Sequence, residues 1–144
     1  MHMQGEPRTM QAAPHYEDVV SEVAHFLGAR AEAAIAAGVL RERILIDPGI
    51  GFGKTVDHNL SLLANLERFT ASGFRVLLGA SRKRFIQALD DKAQEPSSRL
   101  GGSLAAALRS AEEGCAVIRV HDVRETVQAL KVWSAINARP EAIR

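Results

Sequence analysis

The run Arg75-Val76-Leu77-Leu78-Gly79-Ala80-Ser81 is apolar almost without interruption and turns polar at its end. Two other runs share that form, Ile44–Asp47 (ILID) and Ala116–Asp122 (AVIRVHD). A strand with one wet face alternates apolar and polar residues, whereas a strand buried on both faces reads as a continuous apolar run. The stretches between the runs have helical periodicity. Glu17–Ala37 places Val19, Val20, Val23, Phe26, Leu27, Ala31 and Ala34 near a 3.6 period and stops at Gly38. His58–Ser72 carries Leu60, Leu62, Leu63, Leu66 and Phe69 and stops at Gly73. Leu100–Gly114 and Val123–Ala138 are the remaining helical segments, with Pro140 beyond the last. Strand alternating with helix is the pattern of βα units around a parallel sheet, so the chain is expected to be α/β. The polar stretch Asp90–Ser98 (DDKAQEPSS) is expected to be an exposed loop.

Three strands are too few to close a (βα)8 barrel. They would leave open sheet edges that invite pairing. Met1–Gly5 reads like the mouth of a strand whose body precedes the chain. The sequence therefore suggests one partial domain over residues 1–144, a fragment or a half that assembles with another.

Composition narrows the function classes. With 144 residues, 18 Lys+Arg and 17 Asp+Glu, the formal net charge is +1, which exerts no overall pull toward nucleic acid or a membrane surface. An anion site, if present, must be local. No apolar run reaches membrane-spanning length, and MHMQGEPRTMQ has no signal-peptide core, so a cytoplasmic location is expected. The single cysteine, Cys115, is expected to be a small buried residue.

Chemistry in parallel α/β proteins gathers where strands end and helices begin, and each strand end here is rich in polar groups. The first is Asp47-Pro48-Gly49-Ile50-Gly51-Phe52-Gly53-Lys54-Thr55. It resembles a nucleotide-binding P-loop, but Pro48 stands where that motif needs its first glycine, and proline has no N–H to offer a phosphate. Two readings stay open: a tight turn, or a carboxylate that accepts hydrogen bonds from a flat ligand while the glycines let the backbone approach. The second is Gly79-Ala80-Ser81-Arg82-Lys83-Arg84. Ser81 suits an N-cap, and three cations follow at a helix start, where the helix dipole disfavours them. They form either a solvated basic patch or a site with a bound anion. The third is Arg119-Val120-His121-Asp122. On a strand, Arg119 and His121 would share one face with Val120 opposite. They form either an internal pair with an acid such as Asp122 or a pyrophosphate clamp. The second and third motifs together match the barrel rule that phosphate sites form from the loops after the last two strands.

These motifs, MHMQG at 1–5, DPGIGFGK at 47–54, GASRK at 79–83, RLGGSL at 99–104 and RVHDV at 119–123, are similar in order and spacing to the C-terminal half of dihydropteroate synthase. The resemblance covers the whole chain. It implies a TIM barrel, of which the chain would supply roughly the end of strand five through helix eight. It also implies a transferase of folate biosynthesis that condenses 6-hydroxymethyl-7,8-dihydropterin pyrophosphate with p-aminobenzoate. By the same resemblance, Asp47 would bind the amino edge of the pterin, Met1 would pack beneath it, and Gly79 would leave room for it. Lys83 would contact both the pterin and the p-aminobenzoate pocket, which Phe52 would wall and Arg84 would approach. Arg119 would lie against the pterin and meet the phosphates, and His121 would bind the terminal phosphate. Arg84 stands where many members have serine.

The family's magnesium-holding asparagine loop is not in this sequence, nor are its second loop and its other pterin-binding acid and amide, so no metal ligand is expected within these residues. The chain alone is expected to be inactive. The alternatives are a non-catalytic half-barrel that binds pterin or phosphate, and a corrinoid-linked pterin methyltransferase. The latter fits less well, because methyl transfer has no pyrophosphate for SRK and RVHD to hold. A homodimer is expected, through the late helices, including Leu100–Leu108, or through the exposed sheet edge.

Overall fold

The computed structural model describes residues 1–138. Its elements in chain order are α1 (Val19–Ala36), β1 (Leu45–Ile46), α2 (Val56–Ala64), α3 (Glu67–Thr70), β2 (Arg75–Leu78), α4 (Arg84–Leu89), α5 (Leu100–Glu112), β3 (Val117–Ile118) and α6 (Val123–Asn137), with 3-10 turns at Arg41–Arg43 and Pro96–Arg99. The strands form a parallel sheet in the order β1-β2-β3. Leu45 and Ile46 pair with Arg75 and Val76, and Leu77 and Leu78 pair with Val117 and Ile118. Residues 1–5 lie beside the end of β1, where the His2 N–H donates to Asp47 O at 2.9 Å. This is the α/β alternation expected of a partial barrel.

Local chemistry accounts for the helix boundaries. Asp18 accepts from the amides of Val20 and Ser21 at the start of α1, and Gly38 beyond its end has φ of 94°. Val19, Val23, Leu27 and Ala31 form the buried stripe of that helix. Thr55 and His58 close a capping box at the start of α2. The single helix expected over His58–Ser72 is instead two, because Asn65 leaves helical geometry and its side-chain amide takes Ser61 O. The core lies between α1, α2, α3 and the sheet, around Val23, Leu62, Leu66, Phe69, Val76 and Leu78.

Three further expectations need correction. The segment Asp90–Ser98 is not simply an exposed loop: Ala93 is buried, and Arg99, 6% exposed, donates to Ala93 O, Gln94 O, Arg82 O and Gln87 Oε1. Such a spread of acceptors ties the loop down and satisfies a buried guanidinium without a carboxylate. Ser81 does not cap a helix. Strand β3 ends at Ile118, although the Arg119 N–H still donates to Leu78 O at 2.8 Å. Pro140 lies outside the described residues.

The sheet is covered unevenly. Helix α6 carries apolar side chains in the open, Val123 and Val127 on one face and Val132 and Ile136 on the opposite one, and Thr126 is the one buried residue on that helix. Leu45 on β1 is 42% exposed. Ala106 and Ala107 of α5, by contrast, are buried against the interior.

Candidate active site

The ends of all three strands converge on one cleft. The loop Asp47–Lys54 turns through Gly49, Gly51 and Gly53, all at positive φ. At Gly49 a Cβ would sit 1.9 Å from His2 O, so only glycine fits. Asp47 Oδ1 accepts from the Gly49 amide at 2.8 Å, which leaves its second oxygen for another partner. Asn59, buried on α2, accepts from the Gly51 amide at 2.7 Å and donates to Thr55 O at 2.6 Å. Lys54, 3% exposed, donates to Phe52 O at 3.1 Å and lies 2.9 Å from His2 Nδ1. Its pKa is lowered to about 8, chiefly by burial; Asp47 opposes the shift and Lys83 reinforces it. The same ammonium and, first, its own burial push His2 down to about 4. Neutral His2 is then the acceptor for charged Lys54.

Gly79, Ser81, Lys83, Arg119, Val120 and His121 line a cavity of about 410 Å³. A Cβ on Gly79 would come within 2.9 Å of Arg119 Nη2 and 3.1 Å of its Nε. The space beside Gly79 thus holds the Arg119 guanidinium. Ser81 Oγ accepts from the His121 backbone N–H at 3.2 Å and lies 3.0 Å from His121 Nδ1. With the Ser81 hydroxyl donating a hydrogen bond to Nδ1, the imidazole proton sits on Nε2, free to donate outward. No carboxylate pairs with Arg119 or Lys83 among the described residues. Lys83 is held below its ordinary pKa by burial and by Arg119, against the pull of Asp47.

A second cavity, of about 800 Å³, adjoins the first through Lys83, with Gly51, Arg84, Phe85 and Gln11 among its lining residues. The Lys83 ammonium stands 4.0 Å from the centre of the Phe52 ring, a cation–π contact. Met1 is exposed, with its Cγ close to Gly49. Of the residues expected at the site, Gly79, Lys83, Arg119 and His121 share one cavity, the Phe52 ring meets the Lys83 ammonium, and Arg84 lines the adjoining cavity. Asp47 lies near enough to Lys83 to act on its charge. Arg119–His121 lies beyond the end of β3, and Val120 lines both this cavity and the apolar one between β3 and α6. The acid expected as a partner for Arg119 or His121 is engaged elsewhere: Asp122 forks with Arg82.

The sequence model of the pterin binding enzyme family matches residues 1–121. The chain belongs to that family. A dihydropteroate synthase of Neisseria meningitidis serogroup B is 50% identical over 139 residues, which is 94% of this chain and 48% of the relative. The crystal structure of dihydropteroate synthase from Stenotrophomonas maltophilia, with imidazole in its active site, superposes with a TM-score of 0.91 at 51% identity, covering 96% of this chain and 52% of that one. The enzyme from Xanthomonas albilineans in complex with 7,8-dihydropteroate gives a TM-score of 0.87 at 48% identity, covering 96% and 50%. The match fits half of a TIM barrel, and the chain spans about half the length of the relatives it matches.

Sequence reasoning missed several members of the site. Lys54 and Asn59 hold the glycine loop through contacts with Phe52 O, the Gly51 amide and Thr55 O. Arg82 and Asp122 lie 40 positions apart, and nothing local announces their pairing. Cys115 is half-buried, and burial followed by the Glu113 charge raises its thiol to about 11, which suits a packing residue. None of the described helices is long and apolar enough to cross a membrane.

Proposed function

We propose that this chain supplies the leaving-group and acceptor side of a dihydropteroate synthase site. There the amine of p-aminobenzoate displaces pyrophosphate from 6-hydroxymethyl-7,8-dihydropterin pyrophosphate. The observation that carries the reading is the place of Lys83, which lines two adjoining cavities. One is walled by Arg119 and His121, whose cationic and N–H donors suit a polyphosphate. The other holds Arg84, a cation suited to an acceptor's carboxylate.

The chemistry follows from those positions. As the carbon–oxygen bond to pyrophosphate breaks, the bonding electrons leave with the phosphate oxygens. Arg119, His121 and Lys83 are oriented to receive that charge before it forms, which lowers the barrier more than it strengthens ground-state binding. The amine nitrogen bonds to the methylene carbon and releases a proton. Asp47 accepts from the amino edge of the pterin, Met1 floors it, and Gly79 admits both the ring and Arg119. Phe52 walls the p-aminobenzoate site. A magnesium ion, when bound, would offset pyrophosphate charge. The donors at the phosphate cavity are cations and so do not make its ligand set, and its ligands are proposed to lie in the complementary half of the enzyme. The same reading carries a cytoplasmic location and a homodimer. It also holds that these 144 residues alone form no dihydropteroate, since they span half the relatives' length.

Calorimetric titration with pyrophosphate tests the site. The chain should bind it, and Arg119→Ala should weaken binding by about 1.5–3 kcal/mol, the loss of a charge-assisted hydrogen bond. Gly79→Ala, which displaces the same guanidinium, should weaken it by about 1 kcal/mol without unfolding the chain. Equal affinity in wild type and Arg119→Ala would exclude the clamp. Steady product formation by the purified chain would overturn the half-site reading.

A further inference from the structure

Two local rules are broken at one contact. Arg82 has φ of 59°, the one non-glycine residue with positive φ among the described residues. That region brings Cβ too close to the backbone and is ordinarily left to glycine. Asp122 occupies the N-cap of α6, where an aspartate ordinarily accepts from the first-turn amides, yet its side chain caps nothing. One interaction accounts for both departures. Arg82 Nε donates to Asp122 Oδ2 at 3.1 Å and Nη2 to Oδ1 at 2.5 Å, a two-pronged pair.

The backbone on the Arg82 side is fastened as well. The Arg82 amide donates to Ser103 Oγ at 2.9 Å, and Ser103 donates to Arg99 O at 2.8 Å. Buried Arg99 donates back to Arg82 O at 3.0 Å. Arg82 is thus anchored to α5 and to the turn before it, while its side chain holds the loop after β3. Its neighbour in sequence is Lys83, and the neighbour of Asp122 is His121. Natural sequences depart from local preferences chiefly where function demands it, and here two departures meet between the two loops that carry the cations.

We infer that the Arg82–Asp122 pair is a positioning device: it sets the spacing of the loops after β2 and β3 so that Lys83, Arg119 and His121 converge on one pyrophosphate. Neither residue is assigned contact with substrate. The inference rests on the phosphate reading of that cavity. It also makes a prediction opposite in sign to plain electrostatics. Asp122 is an anion beside an anion site, so removing its charge should tighten pyrophosphate binding if the residue is merely nearby. If it positions the loops, removing it should loosen binding.

The experiment titrates pyrophosphate into wild type, Asp122→Asn, Asp122→Glu and Arg82→Lys, with circular dichroism to check folding. Asp122→Asn should raise Kd about tenfold, and Asp122→Glu, which can rebuild the fork, should return it to within about threefold. Arg82→Lys keeps the charge but loses the fork, so it should bind several-fold more weakly. It decides the question if Asp122→Asn does not fold. Unchanged or tighter binding by folded Asp122→Asn, or wild-type affinity in Arg82→Lys, overturns the positioning role while the phosphate site stands. Absence of pyrophosphate binding by wild type itself would remove the phosphate reading, and this inference with it.

Discussion

His2 and Lys54 share a buried contact 2.9 Å long, and the pair has a pH signature. Burial first, then the Lys54 ammonium and the chain's amino terminus, hold His2 at about 4 against an ordinary 6.5, with Glu22 opposing. Because the folded value is the lower one, the unfolded chain binds more protons between those two values. Stability is therefore complete above pH 6.5 and falls as the pH drops toward 4, by on the order of 2–3 kcal/mol from this residue. Guanidinium unfolding at pH 7, 5 and 4 measures the slope. His2→Gln keeps an acceptor for Lys54 but cannot titrate, so it should flatten that slope. An identical slope in the variant would remove His2 as its source. The neighbouring glycine makes a related point. Gly49 faces the His2 carbonyl, a rigid backbone atom, whereas Gly79 faces the movable end of Arg119. Both are glycines at the mouth of the cleft. One is demanded by the chain's own packing and the other by the placement of a cation.

Among the elements, α5 offers an internal comparison in its adjacent glycines. A Cβ at Gly101 meets nothing within 4 Å, while one at Gly102 would come within 2.5 Å of Ile86 Cγ2 on α4. Gly101→Ala should stabilise the chain by about 0.5–1 kcal/mol, because alanine loses less backbone freedom in a helix. Gly102→Ala should destabilise it by about 1–3 kcal/mol, because Ile86 is itself buried and has little room to move. Thermal unfolding of the two variants checks both signs. Equal shifts in the two variants would mean that α4 does not pack on α5 at this point. The small residues of Leu100–Leu108 therefore serve close packing within the chain at Gly102, Ser103, Ala106 and Ala107.

For the whole molecule, the large apolar side chains left open include four on α6 and Leu45 at the sheet edge, besides Phe26, Val39, Leu40 and Leu89 elsewhere. Clustered exposed apolar residues mark a contact surface. The expected homodimer or larger species would be held there, and sedimentation at micromolar concentration tests it. Val132→Glu with Ile136→Glu should shift the population toward a 15.6 kDa monomer. A wild-type chain that sediments as a clean monomer would sink the idea. A dimer untouched by the double change would assign the contact to the Val123–Val127 face of α6 or to the β1 edge at Leu45.

The alternation of buried strand and amphipathic helix, the helix stops at Gly38 and Gly73, and the three polar strand ends were all legible in the sequence, because each depends on neighbours along the chain or on helical and extended periodicity. The convergence of Lys83, Arg119 and His121 was legible too, since parallel strands present all their C-terminal ends on one side. What the tertiary structure alone decided are the partners. Asp122 takes Arg82 and not Arg119, Ser81 binds His121 and caps no helix, Lys54 closes on His2, and Gly102 is needed where Gly101 is not. Each depends on distances between segments far apart in sequence. Residue type supplies the capacity to bond, but only the packed chain determines which of several equivalent partners lies within 3 Å.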